Sequence, residues 1–307
     1  MRDVHLDFVR VTEAAAIAAS AWIGSGDKLS ADKAATQAMR ERLNQMPFAG
    51  KIMIGEGEKD KSYGLFAGER VGRFAEDIYA QQTYELAIDP IDGTRPTVTS
   101  GPEAMSVLAV AEENALFSTE AYYMNKLAYG PYLASKVKLE LTDPLAKTVE
   151  KISKAIQKDV SKIMACILDR PRHEKIITEL RKLGVRIKLI QDCDISGAIA
   201  ACLPESGIDF QIGVGGAPEG VITACAMKCL RGGFQAQLAK NDGTILNPEL
   251  YSANDLVKGH CVFAATGVTD GSLLKGVRFS NRGAITHSVF MRSESGTVRW
   301  LEAHHGN

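Results

Sequence analysis

The chain contains 307 residues, of which 45% are hydrophobic and 24% are charged, as in an ordinary globular protein large enough for one or two domains. Its 36 basic and 37 acidic residues nearly cancel, so no overall field favours nucleic acid or an anionic membrane surface. No apolar run approaches the roughly 20 residues of a membrane span, and the N-terminal segment lacks the apolar core of a secretory signal. We therefore expect a cytoplasmic protein with no nucleic-acid or membrane partner.

The six cysteines all lie in the second half of the chain, in apolar or helical contexts. They lack the paired spacing that small secreted domains use for disulfides, so we predict reduced thiols. Cys225 and Cys229 are one helical turn apart, but no further Cys or His follows at zinc spacing, and the histidines form no ligand pattern. A zinc enzyme is therefore disfavoured.

The spacing of apolar residues predicts different organisation in the two halves of the chain. Two helices are expected at 6–23 and 31–43, followed by strands at 51–54, 86–88 and 105–111. From residue 142, helices at 142–158, 172–183, 195–202 and 221–230 alternate with strands at 163–168, 185–190 and 208–212, and short strands with turns are expected over 266–299. Such alternation is typical of βαβ units with a parallel sheet. The sequence therefore predicts an α/β protein, with an α+β metal-binding domain at 1–145 and an α/β domain at 146–307 that completes the site.

Several acidic residues follow a predicted strand or begin a predicted helix beside Gly or Pro, where turns expose side chains toward a common crevice. They are Asp32, the pair Glu56 and Glu58, the pair Asp89 and Asp92, and Glu219. Mg²⁺ and Mn²⁺ prefer carboxylate oxygens, and a cation between neighbouring carboxylates relieves their repulsion. Plainer interpretations exist, since Asp32 can complement a helix dipole and the Glu56 pair can form a solvated turn.

The segment Asp89-Pro90-Ile91-Asp92-Gly93-Thr94 concentrates features suited to metal and phosphate. Pro90 fixes φ, Gly93 permits a close approach of the backbone, and Thr94 supplies a hydroxyl where a helix can begin. The alternative is an ordinary surface turn rich in Asp, Pro and Gly.

Three segments of the second half are candidates for substrate contact. Residues 213–220 lie between a predicted strand and a predicted helix, where backbone N–H groups can hold a phosphate or the glycines can simply form a turn. Arg170 and Arg172 follow a strand and are suited to bidentate phosphate contact, although charge at a helix start is the alternative. Residues 192–194 follow the next strand and either accept hydrogen bonds from sugar hydroxyls or cap the helix.

The segment from Asp89 to Thr94 resembles the D-P-[IL]-[DE]-G-[ST] element of the metal-dependent, lithium-sensitive sugar and inositol phosphatase superfamily. Other short segments occur in the same order as in class II fructose-1,6-bisphosphatases of the bacterial GlpX type, over nearly the whole chain. They are Arg10 to Glu13, Gly26-Asp27-Lys28, Ser30-Ala31-Asp32, Ile54 to Glu58, Tyr123 to Leu127, Arg170 to His173, Gly215 to Gly220 and Ala264 to Gly267. The resemblance implies a layered αβαβα sandwich, and we expect a homo-oligomer, either a dimer or a tetramer.

The resemblance also implies roles for individual residues. Asp32 and Glu56 are implied to bind one divalent ion, Mn²⁺ or Mg²⁺, and Asp89, Asp92 and Glu219 another. The implied substrate contacts are Asp92, Gly93, Thr94, Tyr123, Arg170, Pro171, Arg172, Asp192, Cys193, Asp194 and Gly216.

The hypothesis that follows is metal-dependent hydrolysis of the 1-phosphate of fructose 1,6-bisphosphate. Thr94 positions the nucleophile or steadies the transition state, and Glu56, Glu58 or Asp60 orients or deprotonates the attacking water. Arg170 and Arg172 hold the distal phosphate. One alternative is a bifunctional enzyme that also accepts sedoheptulose 1,7-bisphosphate, and another is a binding protein without activity, which is disfavoured because all five implied metal ligands are acidic.

Two positions depart from the family pattern. Asp92 stands where Glu is more usual, which shortens a ligand by one methylene. Cys193 stands where Gly is expected between two aspartates, which alters the predicted fit of the sugar.

Overall fold

A computed structural model describes residues 5–55, 64–77 and 83–306. The chain forms two compact units, the first made of Met1–Ser118 with Val257–Asn307 and the second of Thr119–Leu256. The first unit therefore contains both ends of the sequence. The division of roles between residues 1–145 and 146–307 stays a prediction about function.

The described residues form helices and strands in a mixed order along the chain. The helices are α1 (Val9–Ser20), α2 (Lys28–Gln45), α3 (Thr94–Val98), α4 (Pro131–Ala134), α5 (Leu145–Ile156), α6 (Glu174–Lys182), α7 (Asp194–Ala200), α8 (Ala217–Leu230) and α9 (Ala253–Leu256). The strands are β1 (Ala49–Ile54), β2 (Arg70–Val71), β3 (Thr83–Asp92), β4 (Met105–Glu112), β5 (Tyr123–Tyr129), β6 (Met164–Leu168), β7 (Arg186–Ile190), β8 (Phe210–Gly216), β9 (Gly233–Ala239), β10 (Tyr251–Ser252), β11 (Cys261–Gly267), β12 (Arg278–Ser280), β13 (Gly283–Arg292) and β14 (Thr297–His305).

The first unit is built on an eight-stranded mixed sheet in the order β12-β13-β11-β4-β3-β1-β2, with β14 paired to β13. Strands β1 and β3 are parallel, and β3, β4, β11 and β13 are successively antiparallel. Helix α1 packs against β11, β13, β4 and β3, and α2 packs against α1. Fully buried Met39 of α2 and Phe8, which directly precedes α1, form one core with Leu86 and Phe290 of the sheet.

The second unit contains a six-stranded sheet in the order β10-β9-β5-β8-β6-β7. Strand β6 is parallel to both β7 and β8, whereas β5 is antiparallel to β8 and β9. Helices α7 and α8 pack on each other, and α8 also contacts β5, β8 and β9. Fully buried Leu127 and Phe210 belong to the main core of this unit, together with Ile152 and Leu180 from helices α5 and α6.

The α/β class is confirmed, because each unit combines a mixed sheet with helices. The alternating segments predicted after residue 142 supply the parallel strands β7, β6 and β8. The sheet as a whole is mixed, because β5, β9 and β10 pair antiparallel. Short strands over 266–299 are also corrected, because Gly283–Arg292 and Thr297–His305 form a long antiparallel hairpin. None of the helices in the described ranges has the length and apolar character needed to cross a membrane.

Candidate functional site

The Asp89 to Thr94 segment lies at the carboxyl end of β3 and is an irregular end of a buried strand. The pairing of β3 with β4 shifts between Asp89 and Asp92, which marks a bulge, and Asp92 is only 7% exposed. The carboxylate of Asp89 accepts a 3.0 Å hydrogen bond from the backbone N–H of Ile91. Gly93, with φ of 98°, then reverses the chain and leads into α3, which begins at Thr94. An exposed surface turn is therefore excluded for this segment.

Asp32 and Thr94 are brought together from distant parts of the first unit. Thr94 Oγ1 donates a 2.8 Å hydrogen bond to Asp32 Oδ1. The cap of α2 is Asp27, whose side chain accepts from the N–H of Ser30, so Asp32 is not needed to complete the helix end. The hydroxyl of Thr94 and the carboxylate of Asp32 instead form one polar group beside the end of β3.

Three residues predicted to act near this group, Glu56, Glu58 and Asp60, lie outside the described residues. Strand β1, which ends at Ile54 just before them, is parallel to β3. The carboxyl ends of parallel neighbours meet at the same edge of a sheet. Their proposed roles stay predictions.

The second unit gathers its candidate residues at the carboxyl ends of three parallel strands. Arg170 follows β6, Asp192 follows β7, and Glu219 lies in the first turn of α8, directly after β8. Tyr123 begins the antiparallel strand β5 and pairs with Gly216 at the same end of β8. This edge of an α/β sheet is the usual position of ligand sites, because loops and helix starts converge there.

Arg170 and Asp192 form an ion pair across the ends of β6 and β7. Their side chains are 26% and 23% exposed, so both remain within reach of a ligand. Arg170 also donates a 3.0 Å hydrogen bond to the carbonyl oxygen of Asp169. The guanidinium is thereby held in place with part of its donor capacity unused by these contacts.

Arg172 is fixed by several contacts from its own unit. Its Nε and Nη2 donate to the carbonyl oxygen of Val214 at 3.1 and 2.9 Å, and Nη1 donates to Asn241 Oδ1 at 3.1 Å. The guanidinium also lies over the ring of Tyr123, 5.6 Å from its centroid. Arg172 and Tyr123, two of the predicted substrate contacts, therefore lie together.

The glycine-rich segment 213–220 is not the loop that we predicted, because β8 continues through Gly216 and α8 begins at Ala217. Three of its glycines, Gly213, Gly215 and Gly216, make room for polar side chains. A Cβ at Gly213 would lie 3.0 Å from His173 Nε2, one at Gly215 would lie 2.6 Å from Lys126 Nζ, and one at Gly216 would overlap the carboxylate of Glu219. The glycines are required by close packing of the groups around the strand end.

Glu219 is a half-buried residue in the first turn of α8. Its Oε2 is buried and has no hydrogen-bond partner among the described residues. Burial raises the pKa of Glu219, repulsion from Asp194 raises it further, and Lys126 opposes the shift. A divalent cation would provide the positive charge that these surroundings lack, so this position fits a metal ligand.

The described part of the chain contains no group of three or more His, Cys, Asp or Glu side chains gathered as a metal site. Each implied ligand set includes either Glu56, which is not described, or residues from both units. The argument that Glu219 is a metal ligand therefore depends on its Oε2 alone, which is buried and has no hydrogen-bond partner among the described residues.

Two residues in the second unit were not assigned a role from the sequence. Lys126 is 3% exposed and forms an ion pair with Asp194. His173 is fully buried, with Nδ1 2.7 Å from the carbonyl oxygen of Leu168 and Nε2 accepting a 2.8 Å hydrogen bond from the N–H of Val214. Lys126 could have been noticed because it lies between Met124 and Ala128 on the same apolar face of a strand, where a charged residue needs a partner.

Cys193 occupies a left-handed backbone conformation at the N-terminus of α7, with φ of 64° and ψ of 55°. Glycine adopts this conformation without a Cβ penalty, which gives a physical reason for the Gly that the family pattern has here. The Cys193 side chain is 3% exposed, and like the other five cysteines it is a buried thiol.

The α/β fold thus places carboxylates, a hydroxyl and arginines at the carboxyl ends of sheet strands. Residues 2–305 match the model of the family described as bacterial fructose-1,6-bisphosphatase, glpX-encoded. The chain belongs to this family of metal-dependent phosphatases of carbohydrate metabolism and gluconeogenesis, and it hydrolyses fructose 1,6-bisphosphate to fructose 6-phosphate and phosphate.

Three cyanobacterial relatives resemble the chain over nearly its full length, and each is named D-fructose 1,6-bisphosphatase class 2/sedoheptulose 1,7-bisphosphatase. The proteins of Microcystis aeruginosa and Thermosynechococcus vestitus are each 36% identical over 98% of this chain and 95% of their own length. The protein of Crocosphaera subtropica is 37% identical, with the same shares of 98% and 95%. The family resemblance found in the sequence is thereby confirmed.

Proposed function

We propose that residues at the ends of the two sheets perform this hydrolysis with Mn²⁺ or Mg²⁺. Asp32 and Glu56 are the proposed ligands of one divalent ion, and Asp89, Asp92 and Glu219 are the proposed ligands of another. A bound divalent ion neutralises charge on the scissile phosphate and acidifies a water molecule. The observation that best supports the metal assignment is the buried Oε2 of Glu219, which has no hydrogen-bond partner among the described residues.

Thr94 is proposed to act on the reacting phosphate. Its hydroxyl proton is directed to Asp32, so the oxygen is held in one orientation beside the end of β3. A fixed hydroxyl can orient the attacking water or contact a phosphate oxygen whose charge grows in the transition state. Gly93 and Asp92 complete the proposed contacts here, and Glu58 or Asp60 is proposed to orient or deprotonate the water.

The second unit is proposed to bind the sugar and the distal phosphate. Arg170 and Arg172, with Pro171 between them, would receive the phosphate beside Tyr123, and guanidinium groups match phosphate geometry. Residues Asp192, Cys193 and Asp194 would contact the sugar hydroxyls, and Gly216 would contact the substrate through its backbone. Anchoring the distal phosphate would decide which phosphate is hydrolysed.

Sedoheptulose 1,7-bisphosphate is a second candidate substrate, since the three relatives are named for activity on both sugars. We further propose that the protein is a cytoplasmic homo-oligomer, a dimer or a tetramer. Phosphate release from the two bisphosphates, measured in parallel by the same purified protein, tests the dual specificity. Release from the fructose ester alone would exclude it.

The metal assignment is tested with Glu219→Gln, which keeps the shape of the side chain and removes its charge. Binding of Mn²⁺ measured by calorimetry without substrate should weaken by at least about tenfold, because an anionic ligand is lost. Glu205→Gln, at an exposed position in a short helical turn of the same unit, is the control and should bind as the wild type does. Unchanged Mn²⁺ affinity in Glu219→Gln would contradict the assignment.

A further inference from the structure

Lys126 is a buried cation in the middle of the second unit's sheet. It lies on β5, opposite Gly213 of β8 and Ala236 of β9, and only 3% of the residue is exposed. A lysine is almost never buried to this degree unless its ammonium group is paired. The partners of Lys126 therefore indicate what the group does.

The ammonium group joins two segments that follow different strands. Nζ forms an ion pair with the carboxylate of Asp194, the first residue of α7. It also donates a 3.2 Å hydrogen bond to the carbonyl oxygen of Gly216, the last residue of β8. Both segments contain residues that we propose as substrate contacts.

The surrounding backbone is adapted to this cation. A Cβ at Gly215 would lie 2.6 Å from Nζ and 2.9 Å from Cε, and it would overlap the carboxylate of Asp194. A Cβ at Gly220, on α8, would lie 3.5 Å from Cδ of the lysine stem. A side chain at Gly215 would therefore displace the pair, whereas one at Gly220 would only touch the lysine stem.

Asp194 is held from a second direction as well. The side-chain amide of Gln211, on β8, donates a 2.6 Å hydrogen bond to the backbone carbonyl oxygen of Asp194. The backbone of Asp194 is thus fixed to β8 by Gln211, and its carboxylate is fixed to β5 by Lys126. Of these two contacts, only the one with Lys126 acts on the carboxylate, so it determines the direction of that group.

We propose that Lys126 is a positioning residue, which orients the Asp194 carboxylate and fixes its distance from the β8–α8 junction before the sugar binds. The inference rests on the proposed function, in which Asp194 and Gly216 contact the substrate. Lys126 acts through Asp194. Without Lys126, the Asp194 carboxylate has no fixed direction and must be ordered by the substrate as it binds. Ordering a group during binding weakens affinity more than it slows the later chemical step.

The experiment compares Lys126→Met, Asp194→Asn, the double variant and Lys126→Arg with the wild type, using fructose 1,6-bisphosphate and saturating Mn²⁺. Lys158→Met is the control, since it breaks another ion pair of the same unit, Lys158 with Asp209. Steady-state KM and kcat are measured together with fructose 1,6-bisphosphate binding by calorimetry, and circular dichroism verifies folding. If Lys126→Met does not fold, the double variant, which leaves no unpaired charge, is compared with Asp194→Asn.

Lys126→Met is expected to raise KM by at least about tenfold and to lower kcat by less than about threefold. Lys126→Arg should recover part of the lost affinity, and the double variant should have the KM of Asp194→Asn, because both changes act through one carboxylate. A KM for Lys126→Met equal to that of Lys158→Met, or effects that multiply in the double variant, would overturn the inference. A wild type that neither binds nor hydrolyses the substrate would instead contradict the proposed function, on which the inference depends.

Discussion

Thr94 Oγ1 lies 2.8 Å from Asp32 Oδ1 and donates a hydrogen bond to it, although the two residues are 62 positions apart in the sequence. The bond joins the start of α3 to the second turn of α2, beside the bulged end of β3. Because the donor proton points to Asp32, the remaining lone pairs of the hydroxyl are oriented by the fold and not by solvent.

Thr94→Val removes this hydroxyl while preserving the branched shape of the side chain. We expect kcat on fructose 1,6-bisphosphate to fall by about 100-fold or more, as for loss of one preorganised polar contact to a transition state. Thr94→Ser keeps the hydroxyl and should retain most of the activity. Steady-state kinetics at saturating Mn²⁺ measure both, and a fully active Thr94→Val would show that the hydroxyl has no part in the reaction.

Asp92 has a side chain one methylene shorter than the Glu that is more usual at this position of the family pattern. Asp92→Asn removes the charge without changing size and should lower kcat/KM by about 100-fold or more if the carboxylate binds a cation. Asp92→Glu keeps the charge but must fit a longer side chain into a position that is 7% exposed, so we expect partial activity with an altered ratio of Mn²⁺ to Mg²⁺ rates. Titrations with each metal measure that ratio, and equal activity of Asp92→Asn and wild type would exclude a ligand role.

Cys193 combines a buried thiol with a left-handed backbone. Cys193→Ala loses the buried sulfur and keeps the backbone strain, whereas Cys193→Gly loses the sulfur and relieves the strain. Relief is worth about 1–2 kcal/mol, and the extra freedom of glycine in the unfolded chain offsets about 0.5–1 kcal/mol of it. Urea unfolding should therefore find Cys193→Gly more stable than Cys193→Ala by up to about 1.5 kcal/mol, and the opposite order would contradict the strain argument.

His173 joins the ends of β6 and β8 as a neutral imidazole. The Val214 N–H donates to Nε2, so the ring proton lies on Nδ1 and is donated to the carbonyl oxygen of Leu168. Burial, followed by repulsion from Arg172 and Arg170 and opposed by the backbone hydrogen bonds, lowers the pKa of His173 below its usual 6.5. Protonation would require Nε2 to stop accepting from Val214.

The unfolding free energy should consequently depend on the charge of His173. A lowered folded-state pKa means that the unfolded chain is protonated first as the pH falls, so the stabilisation is complete above about pH 6.5 and is lost as the pH falls through the folded-state value. Denaturant unfolding between about pH 7.5 and about pH 5.5 should show a larger loss for wild type than for His173→Gln, which does not titrate. Identical pH dependence in the two proteins would show that the imidazole titrates normally.

Local sequence patterns were sufficient to predict most elements and the α/β class. Helix α3 begins at Thr94, as the Gly93-Thr94 pattern predicts, because a glycine with positive φ can end a strand and start a helix. The antiparallel strand β5 was not anticipated between the parallel elements, since strand pairing is determined by tertiary packing and not by local propensity. The glycines of β8 were expected to form a loop but continue the strand. Local sequence does not reveal this, because the space beside them is filled by the side chains of Lys126, His173 and Glu219.

The site was predictable where chemistry is concentrated in a short motif and not where it depends on contacts between distant residues. The bond between Asp32 and Thr94 and the pair of Lys126 with Asp194 join segments 62 and 68 residues apart. No spacing in the sequence indicates such pairs. The resemblance to the family identified Asp32, whereas the pairing of Lys126 with Asp194 is known only from the structure.

The central claim is that this chain removes the 1-phosphate of fructose 1,6-bisphosphate in a reaction that requires a divalent cation. The most direct measurement follows the phosphate and the sugar phosphate that the purified protein releases, before and after chelation and after addition of Mn²⁺ or Mg²⁺. We predict equal amounts of phosphate and fructose 6-phosphate, loss of activity on chelation and recovery with either metal. Release of fructose 1-phosphate, full activity in the presence of chelator, or no phosphate release with metal would contradict the account.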